Sequence, residues 1–449
     1  MKHAAQLAAA GLFRERPPRY TSYPTAPNFS GGVGPETFAD WLGRAGRAGP
    51  VSLYLHVPFC RRLCWFCACR TQGTRTDQPV AAYVEALKAE IAHASEVAGR
   101  PSLSRLHWGG GTPTILAPEL IASLARTIRR SFPFAEGAEF SVEIDPNEID
   151  APRIAALKEA GMTRASIGIQ DFDPKIQEAI GRPQSFRVTA EAAAALRRAG
   201  IESLNADLVY GLPGQNVASL RRTLRRLLWL RPDRIALYGY AHAPHLAKRQ
   251  AMIREEDLPK APLRFDLAEA AREILVSAGY DPVGIDHFAL PADGLARAAR
   301  EGRLRRNFQG YTDDAAAALI GLGASSISEF PEGYAQNAPA TAAWRRAVDT
   351  GAFATHRGHV FRGEDRMRKA AIERLMCDFA LDLGDPRLGA GAEAALLPAA
   401  EGAARRWPGF AALEGSRLRI TEEGRPLTRI IARAFDEYDE AGSAYSMAI

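Results

Sequence analysis

The sequence predicts an α/β fold: a partial (β/α)6 TIM-like barrel, preceded by an N-terminal arm and followed by a mostly helical C-terminal domain. Six short apolar runs, 51–57, 105–108, 139–144, 164–170, 203–210 and 234–240, alternate with stretches of helical periodicity. Successive runs stand roughly 30–40 residues apart, as right-handed strand–helix–strand units require. The alternation fades after about residue 280.

Residues 1–44 form the arm. They are rich in Pro and Gly with few periodic segments, and read as a segment lying over the substrate mouth. The barrel spans 45–280. Its first helix, 79–97, places Val80, Tyr83, Val84, Leu87 and Ile91 on one face. Further helices are expected over 118–130, 152–160, 189–199 and 219–230, and Gly161 and Gly200 directly follow two of them as stop signals. The third segment, 281–449, carries helical patterns at 340–349 and 364–379. A small strand-and-helix unit follows at 413–420 and 422–439.

Bulk properties narrow the function classes. Among 449 residues, 47% are hydrophobic and 24% charged, which is ordinary globular usage and excludes a disordered or fibrous chain. The net charge of +5 comes from 57 basic and 52 acidic residues spread along the sequence. No basic tail with interleaved aromatics favours nucleic acid. No apolar run reaches the roughly 20 residues that span a bilayer; the stretch 4–13 is cut short by Arg14-Glu15-Arg16. A cytoplasmic protein without membrane attachment is expected, and a monomer, since no long apolar seam stands out.

The chemistry concentrates after the first strand. Four of the five cysteines lie within ten residues, too close together to brace a fold as disulfides. Cys60, Cys64 and Cys67 stand at C-x3-C-x2-C spacing. Three thiolates on one loop suit three irons of a cubane cluster, whereas structural zinc usually draws paired ligands from two segments. A second signal, His107-Trp108-Gly109-Gly110-Gly111-Thr112-Pro113-Thr114, ends the second strand with glycines that let backbone approach a ligand. On later strand ends stand Glu143, Gln170 and Asp207. Any one could be a solvated strand position; several converging on one barrel mouth favour a site.

The cysteine loop resembles the radical SAM superfamily, in which S-adenosylmethionine (SAM) chelates the open iron of a [4Fe-4S] cluster and is cleaved to a 5′-deoxyadenosyl radical. Outside that loop, Arg19-Tyr20-Thr21-Ser22-Tyr23-Pro24-Thr25-Ala26, Gly284 to Ala289, Arg306 to Thr312 and Tyr334 to Asn337 resemble oxygen-independent coproporphyrinogen III oxidases. The resemblance runs from about residue 19 to the C-terminus. It implies that Cys60, Cys64 and Cys67 ligate one [4Fe-4S] cluster, with Cys69 not a ligand, because a fourth sulfur would close the iron that SAM needs. It implies contacts to the iron-bound SAM from Tyr54, Gly110, Glu143 and Ile327. It implies contacts to a second SAM from Phe66, Gly111, Thr112, Gln170, Arg182, Asp207 and Ala241. The implied reaction decarboxylates two propionates of coproporphyrinogen III to vinyls, giving protoporphyrinogen IX in haem synthesis. An electron donor such as flavodoxin or ferredoxin, and an electron acceptor of unknown identity, are implied as partners. The segment Ala241-His242-Ala243-Pro244-His245 keeps only its first two residues in the family pattern, and Ala68 and Arg70 replace a usual Gly and a common Asn.

Three other readings stand beside this one: a radical SAM haem chaperone that binds and delivers haem, a radical SAM methyltransferase, and a zinc-binding module. Cys69, the Tyr-Thr-Ser-Tyr-Pro arm and Arg182 argue against the chaperone, whose branch tends to lack them.

Overall fold

A computed structural model describes residues 2–438 and 448–449. Six parallel strands stand in sequential order: β1 (Val51–Val57), β2 (Leu103–Gly110), β3 (Phe134–Ile144), β4 (Arg164–Gln170), β5 (Ser203–Tyr210) and β6 (Arg234–Gly239). Helices Gln78–Ala98, Pro118–Ser131, Ala151–Glu159, Phe186–Arg198 and Val217–Leu230 connect them. Local sequence explains the helix ends. Asn216 and Ser219 form a reciprocal capping box at one start. Gly99, at φ +74°, closes the first of these helices, its amide donating to Glu96 and Ser95 carbonyls.

Each strand alternates between two surroundings, as a period of two dictates. Leu53, Leu55 and Val57, then Leu106 and Trp108, then Val142 and Ile144, pack into one core beneath the helices. The residues between them (His107, Ser141, Glu143, Ser166, Asn205, Asp207) line a cavity on the other face. Burying a large apolar side chain is worth about 1.5–3 kcal/mol, so this alternation locks the register that sends the polar set inward.

The sheet does not stop at residue 280. It has twelve strands, and Leu319–Leu322 returns to pair in parallel with β1, Tyr54 opposite Gly321. Antiparallel strands Ile327–Phe330, Gly333–Asn337 and Thr355–Val360 continue that edge; His287–Ala289 and Asp281–Val283 extend the other beyond β6. These runs are three to six residues long, too short for periodicity to reveal.

A second core lies C-terminal. Helices Asp365–Asp378 and Ala392–Arg406 pack on a three-stranded sheet. The expected strand 413–420 is a hairpin, Ala411–Glu414 and Arg417–Ile420, because Gly415 at φ +60° turns the chain. Within the expected helix 422–439, only Thr428–Ala432 is α-helical, flanked by 3-10 turns; Asp439 lies outside the described residues. The N-terminal arm belongs to this core: Leu7, Leu12, Tyr20 and Tyr23 are buried within it. A helix, Pro35–Ala48, runs across the expected boundary at residue 44, and its Phe38, Trp41, Leu42 and Ala45 pack into the barrel core.

Candidate functional site

The loop after β1 carries the cysteines to the C-terminal end of the barrel. The glycine-rich turn after β2 holds it there: the Gly111 amide donates to the Val57 carbonyl and the Thr112 amide to the Phe59 carbonyl, both at 2.8 Å. Only glycine permits this approach. Gly110 has φ +111°, and a Cβ on it would lie 2.5 Å from the His56 ring. A Cβ on Gly111 would meet the Phe59 oxygen at 2.5 Å. A second clamp comes from far along the chain. Arg249 donates to the Cys69 carbonyl at 3.0 Å and to the Thr71 hydroxyl at 2.8 Å, while Gln250 donates to the Phe66 and Ala241 carbonyls.

Cys60, Cys64 and Cys67 line one cavity of about 180 Å³ together with Phe66, Cys69, Gly110, Gly111, Thr112, Glu143, Gln170, Arg182 and Asp207. Phe66, Glu143, Ser166, Gln170 and Asp207 also border an adjoining cavity of about 350 Å³ inside the barrel. Together these reach the size of ligand sites, about 300–1,000 Å³. Among the described residues, Tyr54, Ala241 and Ile327 lie outside the lining of both cavities. Tyr54 stacks on His107 and bonds His56 at 3.0 Å; Ala241 is tied to Phe66 through Gln250; Ile327 packs near Phe29, Tyr334 and Phe361.

The cysteine electrostatics are uneven. Burial pushes the Cys60 thiol up to about 11, against a hydrogen bond from the Thr112 hydroxyl. Burial also raises Cys64, although the Arg182 guanidinium lies 3.4 Å from its sulfur. A hydrogen bond from Cys69 lowers the Cys67 thiol, and the same bond raises Cys69. Arg182 also lies 3.2 Å from Asp145 and donates to the Gly168 carbonyl at 3.0 Å. Burial opposes its charge, but Asp145 and the Cys64 sulfur raise its pKa above the ordinary value. Its buried Nε has no hydrogen-bond partner among the described residues.

On the opposite wall the Glu143 carboxylate accepts from the Gly110 amide at 3.0 Å and faces His107 Nε2 at 3.3 Å. Burial raises its pKa, but these bonds outweigh burial and hold the group below its usual value. Asp207 is raised by burial, despite bonds from Ser166 and Asn205. Gln170 sits at φ +66°, left-handed for a non-glycine residue, where β4 shifts register against β5. That conformation ends the strand with a side chain on the cavity wall.

The donor set fits an iron–sulfur cluster. Each cysteine of a cluster binds a different iron, so the sulfurs need only line a shared space; among the described residues no three His, Cys, Asp or Glu groups converge on a single ion position. Cys377 stands apart, buried in helix Asp365–Asp378 beside Val283 and Tyr311. Sequence reasoning gave no role to His56, His107, Asp145, Ser166 or Arg249. His56 stands two residues after Tyr54, and His107 opens the quoted glycine-rich segment three residues before Gly110. Arg249 carries no sequence signal, since its partners are about 180 residues away.

Residues 54–227 match the radical SAM superfamily. The chain is 56% identical over 451 residues to an oxygen-independent coproporphyrinogen III oxidase of Paracoccus denitrificans, covering 100% of both chains. It is 37% identical to the Escherichia coli protein of that name, covering 96% of this chain and 95% of the other. The solved structure of coproporphyrinogen III oxidase from Escherichia coli, described as a radical SAM enzyme, superposes with a TM-score of 0.88 at 36% identity, covering 94% of this chain and 98% of that one.

Proposed function

The chain belongs to the oxygen-independent coproporphyrinogen III oxidase family of the radical SAM superfamily, and from that premise we propose that it converts coproporphyrinogen III to protoporphyrinogen IX without oxygen. The observation that carries the reading is the single cavity joining three loop cysteines to Gly110, Glu143, Gln170, Arg182 and Asp207. Two propionates each lose a β-hydrogen atom, carbon dioxide and one electron, leaving vinyl groups. A [4Fe-4S] cluster with SAM supplies one-electron reductive cleavage and a carbon radical able to take that hydrogen.

The protein's own residues bind, orient and shield. Cys60, Cys64 and Cys67 hold the cluster as thiolates, with Thr112 and Arg182 placing hydrogen bonds on two of the sulfurs. Cys69 hydrogen-bonds Cys67 and would stay off the iron. The Gly110 backbone and the Glu143 carboxylate would receive the methionine amino end of the iron-bound SAM. Tyr54 and Ile327, which stand outside the cavity lining, would act on that pocket from behind it, Tyr54 through its stacking on His107. Arg182, whose free Nε is buried at the cavity wall, takes a SAM carboxylate through its fork. Together with Arg182, the residues Phe66, Gly111, Thr112, Gln170, Asp207 and Ala241 would hold a second SAM beside the first.

An electron donor such as flavodoxin or ferredoxin would supply the reducing electron, and an acceptor of unknown identity would take the electron left by each decarboxylation. The protein works as a cytoplasmic monomer: a reducing compartment keeps cluster thiols free of disulfides, and no helix among the described residues is long and apolar enough to cross a membrane. Full-length similarity to oxidases, arm included, supports this reading over haem delivery.

The test is anaerobic turnover. The reconstituted protein, reductant, SAM, coproporphyrinogen III and an electron-accepting cell extract should yield protoporphyrin on later oxidation, with 5′-deoxyadenosine. Tight haem binding without protoporphyrin would favour the chaperone.

A further inference from the structure

A third cavity, of about 300 Å³, lies where the arm and the C-terminal core meet the ends of β5 and β6. Its walls bring four arginines together from distant parts of the chain: Arg19, Arg264, Arg306 and Arg429. Among the described side chains, Asp286 is the carboxylate that acts on Arg19, Arg306 and Arg429, and Ile449 also lines the cavity. Asp286 is already engaged by His287 at 2.5 Å and lies 3.6 Å from Arg306. The other acidic residues, Glu269, Glu422 and Glu423, lie with Arg272 and Arg425 on the same wall, and Glu422 is paired with both of those arginines.

Two of these guanidinium groups, those of Arg264 and Arg306, hold buried nitrogens without a hydrogen-bond partner among the described residues. Arg264 is 6% exposed and Arg306 9%. Arg264 gives one nitrogen to the Tyr240 carbonyl at 2.6 Å, yet its Nε has no partner among the described residues; neither have Nε and Nη1 of Arg306. Unsatisfied buried donors cost free energy unless a ligand takes them. Burial also lowers the pKa of Arg264 and Arg429, a cost that a bound anion would relieve.

The cavity shares a wall with the barrel cavity. His287 borders both it and the barrel cavity, which shares Phe66, Glu143, Gln170 and Asp207 with the cysteine site. The space is too small for a whole tetrapyrrole but suits carboxylate side chains at its edge.

Resting on the reading above, we infer that this arginine cavity anchors propionate carboxylates of the porphyrinogen that are not reacting, and so orients the macrocycle toward the cysteine site. Planar guanidinium forks match carboxylates bidentately. The side that reacts must be free of such pairing, and four arginines gathered in one place hold the opposite side.

The experiment uses the full reconstituted chain with Arg264→Gln, Arg264→Lys and the less buried Arg19→Gln. Coproporphyrin III and the dicarboxylate mesoporphyrin IX are titrated by fluorescence, and KM, kcat and SAM affinity are measured alongside. Each Gln variant should raise KM for coproporphyrinogen about tenfold or more, leave SAM affinity unchanged, and erase most of the preference for four carboxylates over two. The Lys variant should recover part of it. Variants that melt like the parent and keep the parent's preference overturn the inference, as do variants whose SAM and porphyrin affinities fall together. A parent that binds coproporphyrin through these arginines yet makes no protoporphyrin overturns the proposed reaction and leaves the anchor standing.

Discussion

Arg182 lies 3.4 Å from the Cys64 sulfur and 3.2 Å from the Asp145 carboxylate, joining the segment after β4 to the cysteine loop and to the end of β3. Lysine cannot reproduce this fork. Arg182→Lys should assemble a cluster of normal iron content but raise KM for SAM about tenfold or more, the loss expected when a charge-assisted hydrogen bond of about 1.5–3 kcal/mol is removed. Iron analysis and steady-state kinetics check this. An unchanged KM would remove Arg182 from SAM recognition.

Cys69 lines the same cavity as the three motif cysteines and hydrogen-bonds Cys67. Cys69→Ser should keep full iron content and the brown charge-transfer absorbance after anaerobic reconstitution. Cys60→Ala, Cys64→Ala and Cys67→Ala should each lose most of it. Equal loss in all four variants would make Cys69 a ligand.

Glu90 is buried 3% exposed, accepting from the Gly323 amide at 2.7 Å and from Asn337 at 2.8 Å. Burial raises its pKa from 4.5 to about 7. A carboxyl whose folded pKa is raised stabilises the fold below its unfolded pKa, and that contribution disappears as pH climbs through the folded value. Between about pH 4.5 and 7 the wild type should therefore lose stability, on the order of 3 kcal/mol, that Glu90→Gln does not lose. Melting curves of both proteins at several pH values check this; parallel pH profiles would contradict it.

The arm contributes Leu7, Leu12, Tyr20 and Tyr23 to the C-terminal core. Four such residues at about 1.5–3 kcal/mol each make it a structural part as well as a cover. Deleting residues 1–30 should lower the melting temperature by more than about 10 °C, given the few degrees that each kcal/mol moves. A truncated chain that melts like the parent would show the arm to be cover alone.

Local pattern made the barrel legible. Strands 51–57, 164–170 and 203–210 match β1, β4 and β5, because long apolar alternation leaves little freedom in register. β3 begins five residues earlier than read, since Glu136 and Gly137 break its apolar run. The strands between 281 and 360 were hidden. Each is short, and pairings such as Leu319 opposite Ser52 are set by contacts far apart in sequence. The same holds for the site. Cys60, Cys64 and Cys67 announce themselves by spacing, and Gly110 by its neighbours. Arg249, and the four arginines of the third cavity, converge only through tertiary folding.

The central claim is that one cavity couples SAM cleavage to oxidation of a porphyrinogen propionate. The most direct measurement is a single anaerobic turnover with coproporphyrinogen III deuterated at the propionate β-carbons, reading 5′-deoxyadenosine by mass spectrometry beside the tetrapyrrole products. The account predicts deuterium in the deoxyadenosine, appearing in step with vinyl formation and absent in Cys60→Ala. Vinyl formation without labelled deoxyadenosine would contradict it.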